Sequence, residues 1–130
     1  MNLTSRTVLR ICRKNYINLR ARIEKLGTPE QKKPENILTF QEYRTIVEQA
    51  ENCSYCGVEL RDLKDMEIDH IEPFYHGGNS KATNLIPSCE VCNRAKADQP
   101  VQNFLTWLKI LGRTELSRGS YYTDWNRKNP

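Results

Sequence analysis

The chain has 130 residues, 28% of them charged, with a formal net charge of +4 and a mean hydropathy of −0.73. That length predicts a modest hydrophobic core, and no apolar stretch approaches the ~18 residues that a membrane-spanning helix needs. Near the N-terminus, Leu3 to Cys12 is interrupted by Thr4, Ser5, Arg6 and Arg10, which breaks the apolar core of a secretory signal, so a cytoplasmic protein with no membrane partner is expected.

The positive charge is concentrated in residues 1–33, which hold nine Lys/Arg against Glu24 and Glu30, while residues 34–130 hold eleven basic and fourteen acidic residues. A segment so biased suggests a polyanionic partner. Within it, Leu9, Cys12, Tyr16, Leu19, Ile23 and Leu26 recur at alternating spacings of three and four, which predicts an amphipathic helix capped by Thr4 or Ser5 and stopped at Gly27-Thr28-Pro29. Arg6, Arg10, Arg13, Lys14, Arg20, Arg22 and Lys25 fall largely off that stripe. Of these, Arg6, Arg10, Arg13 and Lys14 are candidate phosphate contacts.

Glu30 to Leu38 reads as a polar linker. Thr39 and Glu42 have capping-box spacing, and Phe40, Tyr43, Val47 and Ala50 mark one face of a short helix ending near Asn52. Met66 to Ile71 predicts a strand with Pro73 near its end, His76 to Asn79 a loop, and Leu85-Ile86 the start of a return strand. Cys89 to Asp98 predicts a cysteine turn running into a helix. Gln99-Pro100 opens a further helix, with Val101, Phe104, Leu105, Leu108 and Leu111 on its apolar face and Gly112 at its end. The polar tail beyond, with Tyr121, Tyr122 and Trp125, reads as a last short helix or surface tail whose Arg113, Arg118, Arg127 and Lys128 are further basic residues.

Four of the five cysteines form two C-x2-C pairs, Cys53/Cys56 and Cys89/Cys92. In a chain without a secretory signal this favours a metal over disulfides. Four thiolates suit a closed tetrahedral structural Zn²⁺ site, with the backbone N–H groups inside each turn aimed at sulfur and Gly57 free to take the left-handed conformation after Cys56. Cys12 stands alone and reads as a small core residue.

The insertion between the two pairs holds Asp69-His70, flanked by Ile68 and Ile71, then Asn84-Leu85; Asn93-Arg94 and Lys96 follow Cys92. Hydrolysing a phosphodiester needs a base for water and a cation for the developing charge. Histidine suits the first role because its ordinary pKa lies near neutrality. Asp69 and the amide oxygen of Asn93 are natural oxygen donors to a hard divalent ion. Neighbouring strand residues point to opposite faces, so Asp69 and His70 need a bend near Pro73, or approach from two sides of the phosphate, to act together.

These features, in this order over residues 53–98, resemble the HNH endonuclease family. The resemblance implies an α+β chain with a small ββα-metal core, a structural zinc and flanking α-helices. It implies His70 as general base, Asp69 and Asn93 as ligands of Mg²⁺ or Mn²⁺, and Asn84 as the residue that orients the loop and the base. Arg94 and Lys96, beside Asn93, are candidate phosphate contacts, whereas His76 reads as a solvent-facing loop residue. Where some members have a second helical histidine this chain has Ala97, which argues for an oxygen-ligated ion. The expected organisation is a basic helix and linker at 1–38, a zinc-stabilised nuclease core with flanking helices at 39–112, and a tail at 113–130. The expected function is metal-dependent DNA cleavage, RNA not excluded, by a bacterial or phage-encoded monomer or homodimer. The rival expectations are a zinc-stabilised nucleic-acid-binding module without catalysis and a phage adaptor protein.

Overall fold

The computed structural model describes residues 5–110. Thr4 as a cap, Leu111, the Gly112 stop, and the tail with its aromatic and basic residues lie outside the described residues. The order is α1 (Arg6–Leu26), α2 (Phe40–Gln49), β1 (Met66–His70), β2 (Leu85–Cys89), α3 (Glu90–Lys96) and α4 (Val101–Ile110). It is an α+β arrangement with a two-stranded antiparallel sheet, in which Met66 faces Cys89 at one end and His70 faces Leu85 at the other.

Helix α1 begins where the Ser5 hydroxyl accepts the Val8 N–H, and its stripe buries Cys12, Tyr16 and Ile23. Leu26, the last member of the stripe, is 49% exposed, because the chain turns away at Gly27 immediately after it. The Tyr16 ring packs against Phe40 and Tyr43, and its hydroxyl donates to the Leu38 carbonyl at 2.9 Å. Helix α2 carries the capping box read from sequence, with Thr39 and Glu42 exchanging side-chain-to-backbone bonds. It ends at Gln49, short of Asn52, where the chain leaves the helical region at Ala50.

The stretch after α1 is tied into the core rather than left as a free linker. Gln31 is buried, and its amide donates to the carbonyls of Phe74 and Gly78 while its oxygen accepts the Thr28 N–H. The Leu38 N–H donates to the Ser80 carbonyl, and the Ser80 N–H donates to the Asn36 carbonyl. Two parts of the chain distant in sequence thereby fix the loop that follows β1. Within that loop Gly77 takes φ +94°, and a Cβ on Gly78 would sit 1.9 Å from the Glu72 carbonyl oxygen, so neither position suits a side chain.

Helix α4 closes the other side with buried Phe104, Leu105 and Leu108. The Phe104 ring meets Tyr55 edge-on at 5.2 Å. The core therefore runs from α1 and α2 through the cysteine turns to α4, and the hairpin with α3 stands on it.

Candidate functional site

Each cysteine turn is shaped by its own backbone. The Gly57 N–H closes the first turn on the Cys53 carbonyl at 2.9 Å, and Gly57 takes φ +81°, the left-handed conformation expected there. The Cys56 N–H points at the Cys53 sulfur, and the Cys92 N–H at the Cys89 sulfur. The Ser54 N–H bonds to the Pro87 carbonyl of β2, which brings the first turn against the second. All four sulfurs lie within 4.8 Å of one another and all four residues are buried. Cys56 and Cys89 are 3.8 Å apart at sulfur, close to the ~3.8 Å edge of a tetrahedron with metal–sulfur bonds of ~2.3 Å. The cluster can hold a metal ion, and its all-thiolate donor set and tetrahedral spacing suit zinc.

At the opposite end of the hairpin, β1 ends at His70 and the chain turns through Pro73. Asp69 and His70 are both buried, yet both line a cleft of about 350 Å³ shared with Asn93, Arg22, Phe74 and Tyr75. The two occupy adjacent paired positions of β1 and still border the same cleft.

Asp69 Oδ2 accepts the Tyr55 hydroxyl at 2.6 Å and the Lys96 ammonium at 3.1 Å. Burial raises the carboxyl above its ordinary range, opposed by hydrogen bonds from Tyr55 and Lys96, the Lys96 charge and the His70 N–H. A carboxylate offers about four lone-pair sites, so these partners leave capacity for a cation. His70 Nε2 lies 2.9 Å from the Ser80 hydroxyl. Its pKa is pushed down to about 4, first by burial and then by the charges of Arg22 and Lys96.

Asn93, on α3, directs its Nδ2 to the Glu67 carboxylate of β1. An amide with its nitrogen so engaged has its oxygen left as acceptor, and amide plus carboxylate oxygens are the donor chemistry that a hard divalent ion takes. Asn84 bridges the two arms of the loop: its oxygen accepts the Glu72 N–H, and its nitrogen donates to the carbonyls of Glu72 and Asn79.

The basic residues divide. Arg6, Arg10 and Lys14 are exposed along α1, and Arg13 is exposed while stacking on Phe40. Arg94 is exposed and ion-paired to Glu90 one turn before it. Lys96 does not fit the surface phosphate contact expected of it. It is fully buried, its ammonium shared between Asp69 and the His70 carbonyl at 2.9 Å. The spacing held a signal for this: Lys96 lies four residues after Cys92 and three after Asn93, on the helix face that points inward. His76 is exposed, 3.7 Å from Asp98.

Tyr55, Ser80, Glu67 and Arg22 belong to the site, but reading the sequence did not single them out for it. Tyr55 sits inside the first C-x2-C turn, the only feature that could have drawn notice to it. Ser80, Glu67 and Arg22 carry no local signal.

The family model described as HNH endonuclease matches residues 53–99. The CRISPR-associated endonuclease Cas9 of Actinomyces naeslundii is 36% identical over 61 residues, which cover 46% of this chain and 5% of that protein. The SPbeta prophage-derived protein YoqL of Bacillus subtilis, named as an HNH endonuclease, is 34% identical over 56 residues, covering 35% of this chain and 23% of its own. This chain thus spans only a small part of either relative. Among the described residues no helix is long and apolar enough to cross a membrane. The hairpin, the helix that follows it and the paired cysteine turns coincide with the matched segment, so residues 53–99 are similar to an HNH endonuclease domain in sequence and carry an α+β hairpin-and-helix core.

Proposed function

We propose that this chain is a metal-dependent endonuclease that hydrolyses DNA phosphodiester bonds. The observation that carries this reading is the convergence of Asp69, His70 and Asn93 on one open cleft of about 350 Å³. A base and two oxygen donors facing one space are what in-line attack of water on a phosphodiester requires.

His70 is the base. In the tautomer that serves as a base, Nε2 donates to the Ser80 hydroxyl 2.9 Å away and Nδ1 keeps the lone pair that takes the proton from water. Burial holds the ring neutral at pH 7, the protonation state a base needs. Asp69 and Asn93 would hold Mg²⁺ or Mn²⁺, an ion that would supply charge neutralisation at the phosphate and leaving oxygen. Lys96 and Tyr55 fix the Asp69 carboxylate, and Asn84 fixes the loop that aims His70. Cys53, Cys56, Cys89 and Cys92 would hold a structural Zn²⁺ through four thiolates. One cleft cuts one strand, so a monomer nicks and a dimer cuts both strands.

The test is a supercoiled-plasmid assay with Mg²⁺ or Mn²⁺, comparing wild type with His70→Ala and an EDTA control. Open-circular product from wild type and a loss of at least ~100-fold in His70→Ala are expected, the contribution typical of a general base. Cleavage by folded His70→Ala at the wild-type rate would remove His70 from the mechanism. No cleavage of any DNA or RNA substrate would leave a binding module. The pH profile adds a second check. With its pKa near 4, His70 stays deprotonated through neutrality, so kcat/KM should show no inflection near the ordinary histidine value of ~6.5.

A further inference from the structure

One wall of the cleft is not built by the hairpin or by α3. Arg22 reaches it from α1, outside the 53–99 segment, and lines it beside His70, Asp69 and Asn93. Its guanidinium carbon lies 5.2 Å from the Tyr75 ring centroid and 5.7 Å from that of Phe74. Both rings come from the turn that follows β1, so cation–π contact with them holds the guanidinium at the cleft. Its N–H donors are unclaimed. Among the described residues no carboxylate is ion-paired to Arg22 and no group accepts a hydrogen bond from it.

Other arginines of α1 differ. Arg20 donates to the Tyr16 hydroxyl at 3.2 Å, and Arg13 lies over Phe40. Neither lines the cleft. A guanidinium anchored by ring contacts, with its N–H donors unclaimed, can present paired donors to two oxygens of one phosphate, a geometry that an ammonium cannot reproduce. The Arg22 charge also acts on the His70 ring, one of the influences that keep it neutral.

We propose that Arg22 is the phosphate clamp of this site: from α1 it grips the non-bridging oxygens of the phosphodiester presented to His70, Asp69 and Asn93. This rests on the nuclease reading of the cleft. It gives α1 a second role besides packing, because the helix would complete the substrate site of a domain that ends elsewhere in the chain.

The experiment compares the full chain with Arg22→Ala and Arg22→Lys. Binding to a short DNA duplex is measured in EDTA over a salt series, and nicking is measured with Mg²⁺. Both changes sit at an exposed helical position, so folding is expected to survive and is checked by circular dichroism. Arg22→Ala is expected to lower nicking roughly 10- to 100-fold, the range of one lost charge-assisted contact. It should also flatten the plot of log affinity against log salt by about 0.9, the signature of one phosphate contact. Arg22→Lys should keep the slope and recover only part of the rate.

An unchanged slope and rate in Arg22→Ala would overturn the clamp while His70-dependent cleavage by wild type left the nuclease reading standing. A lower melting temperature with an unchanged slope would make Arg22 an anchor for α1 and nothing more, and also overturns it. If wild type binds but cuts nothing, the nuclease reading fails and the slope alone decides whether Arg22 grips phosphate. Absence of any salt-dependent binding sinks both.

Discussion

At the Met66–Cys89 end of the hairpin, four cysteine sulfurs gather within 4.8 Å of one another; at the His70–Leu85 end, Asp69, His70 and Asn93 line an open cleft. Both ends draw on the hairpin and α3: β2 and α3 supply Cys89 and Cys92 to the first, joined by Cys53 and Cys56 from the preceding turn, and β1 and α3 supply Asp69, His70 and Asn93 to the second. At the first end the donors are alike, and four thiols so close together are compatible with a cation at their centre and little else. At the second the donors differ, and each is fixed by its own protein partner: Asp69 by Tyr55 and Lys96, His70 by Ser80, Asn93 by Glu67. Identical ligands pointing inward make a closed joint. Unlike polar groups, each held by its own partner, line a space that stays open. The two ends communicate through Tyr55, which belongs to the cysteine turn by sequence and to Asp69 by contact.

The largest effect separates the ends by removing the metal-binding cluster. Stripping metal with a strong chelator, or replacing Cys92 with serine, should unfold the hairpin and α3, because apparent binding energies for structural zinc reach about 10–16 kcal/mol in small domains. Elemental analysis should give one zinc per chain before stripping. Loss of near-ultraviolet circular dichroism would report the release of Tyr55. An apo protein that keeps its signal and its melting temperature would show that thiol packing alone holds the turns, and the contrast between the two ends would disappear.

A smaller effect is expected at the cleft end from Lys96→Met, which keeps the buried stem and removes the ammonium. Lys96 has no exposure, and the Asp69 side chain is only 10% exposed, so solvent screens the pair little. Leaving a carboxylate buried without its cation costs about 3–5 kcal/mol, which should be visible as a lower melting temperature. The variant also tests the ligand role of Asp69. If Asp69 binds a divalent ion, added Mg²⁺ should stabilise Lys96→Met more than wild type, because ligand binding to the folded state offsets the loss. Equal responses to Mg²⁺ in both proteins would argue that no ion sits at Asp69.

The same contrast explains what could be read in advance. The thiolate cluster was legible because its two pairs are local patterns, each complete within four residues, and only their meeting is tertiary. The α1 stripe, the Thr39–Glu42 box, the strands and α3 were legible for the same reason, since their periodicity or capping is local. The cleft was half legible. Asp69, His70, Asn84 and Asn93 are recognisable by residue type and order, but what holds them lies far away in sequence. Ser80 reaches His70 because Asn36 and Leu38 clamp its backbone. Tyr55 reaches Asp69 because Phe104 supports its ring. Lys96 reads as a phosphate contact from its place beside Asn93, and its burial against Asp69 is set by tertiary packing. Arg22 is one basic residue of several until Phe74 and Tyr75 come to meet it.

The smallest effect concerns the end of α3, where the cleft side carries backbone strain that the cysteine side avoids by using glycine. Gly57 takes its positive φ after Cys56 without penalty, whereas Ala97 closes α3 at φ +49° and ψ −126°, a conformation that a Cβ disfavours. The Ala97 N–H bonds to the Asn93 carbonyl at 3.0 Å, so the strained residue closes the turn that carries Asn93. Ala97→Gly should therefore stabilise the protein by about 1 kcal/mol, the strain relieved outweighing the added freedom of the unfolded chain. Thermal unfolding of the zinc-loaded protein without added Mg²⁺ or Mn²⁺ measures this. A lower melting temperature would mean that the surrounding contacts accommodate Ala97 without strain, and that the two ends do not differ in how they terminate their turns.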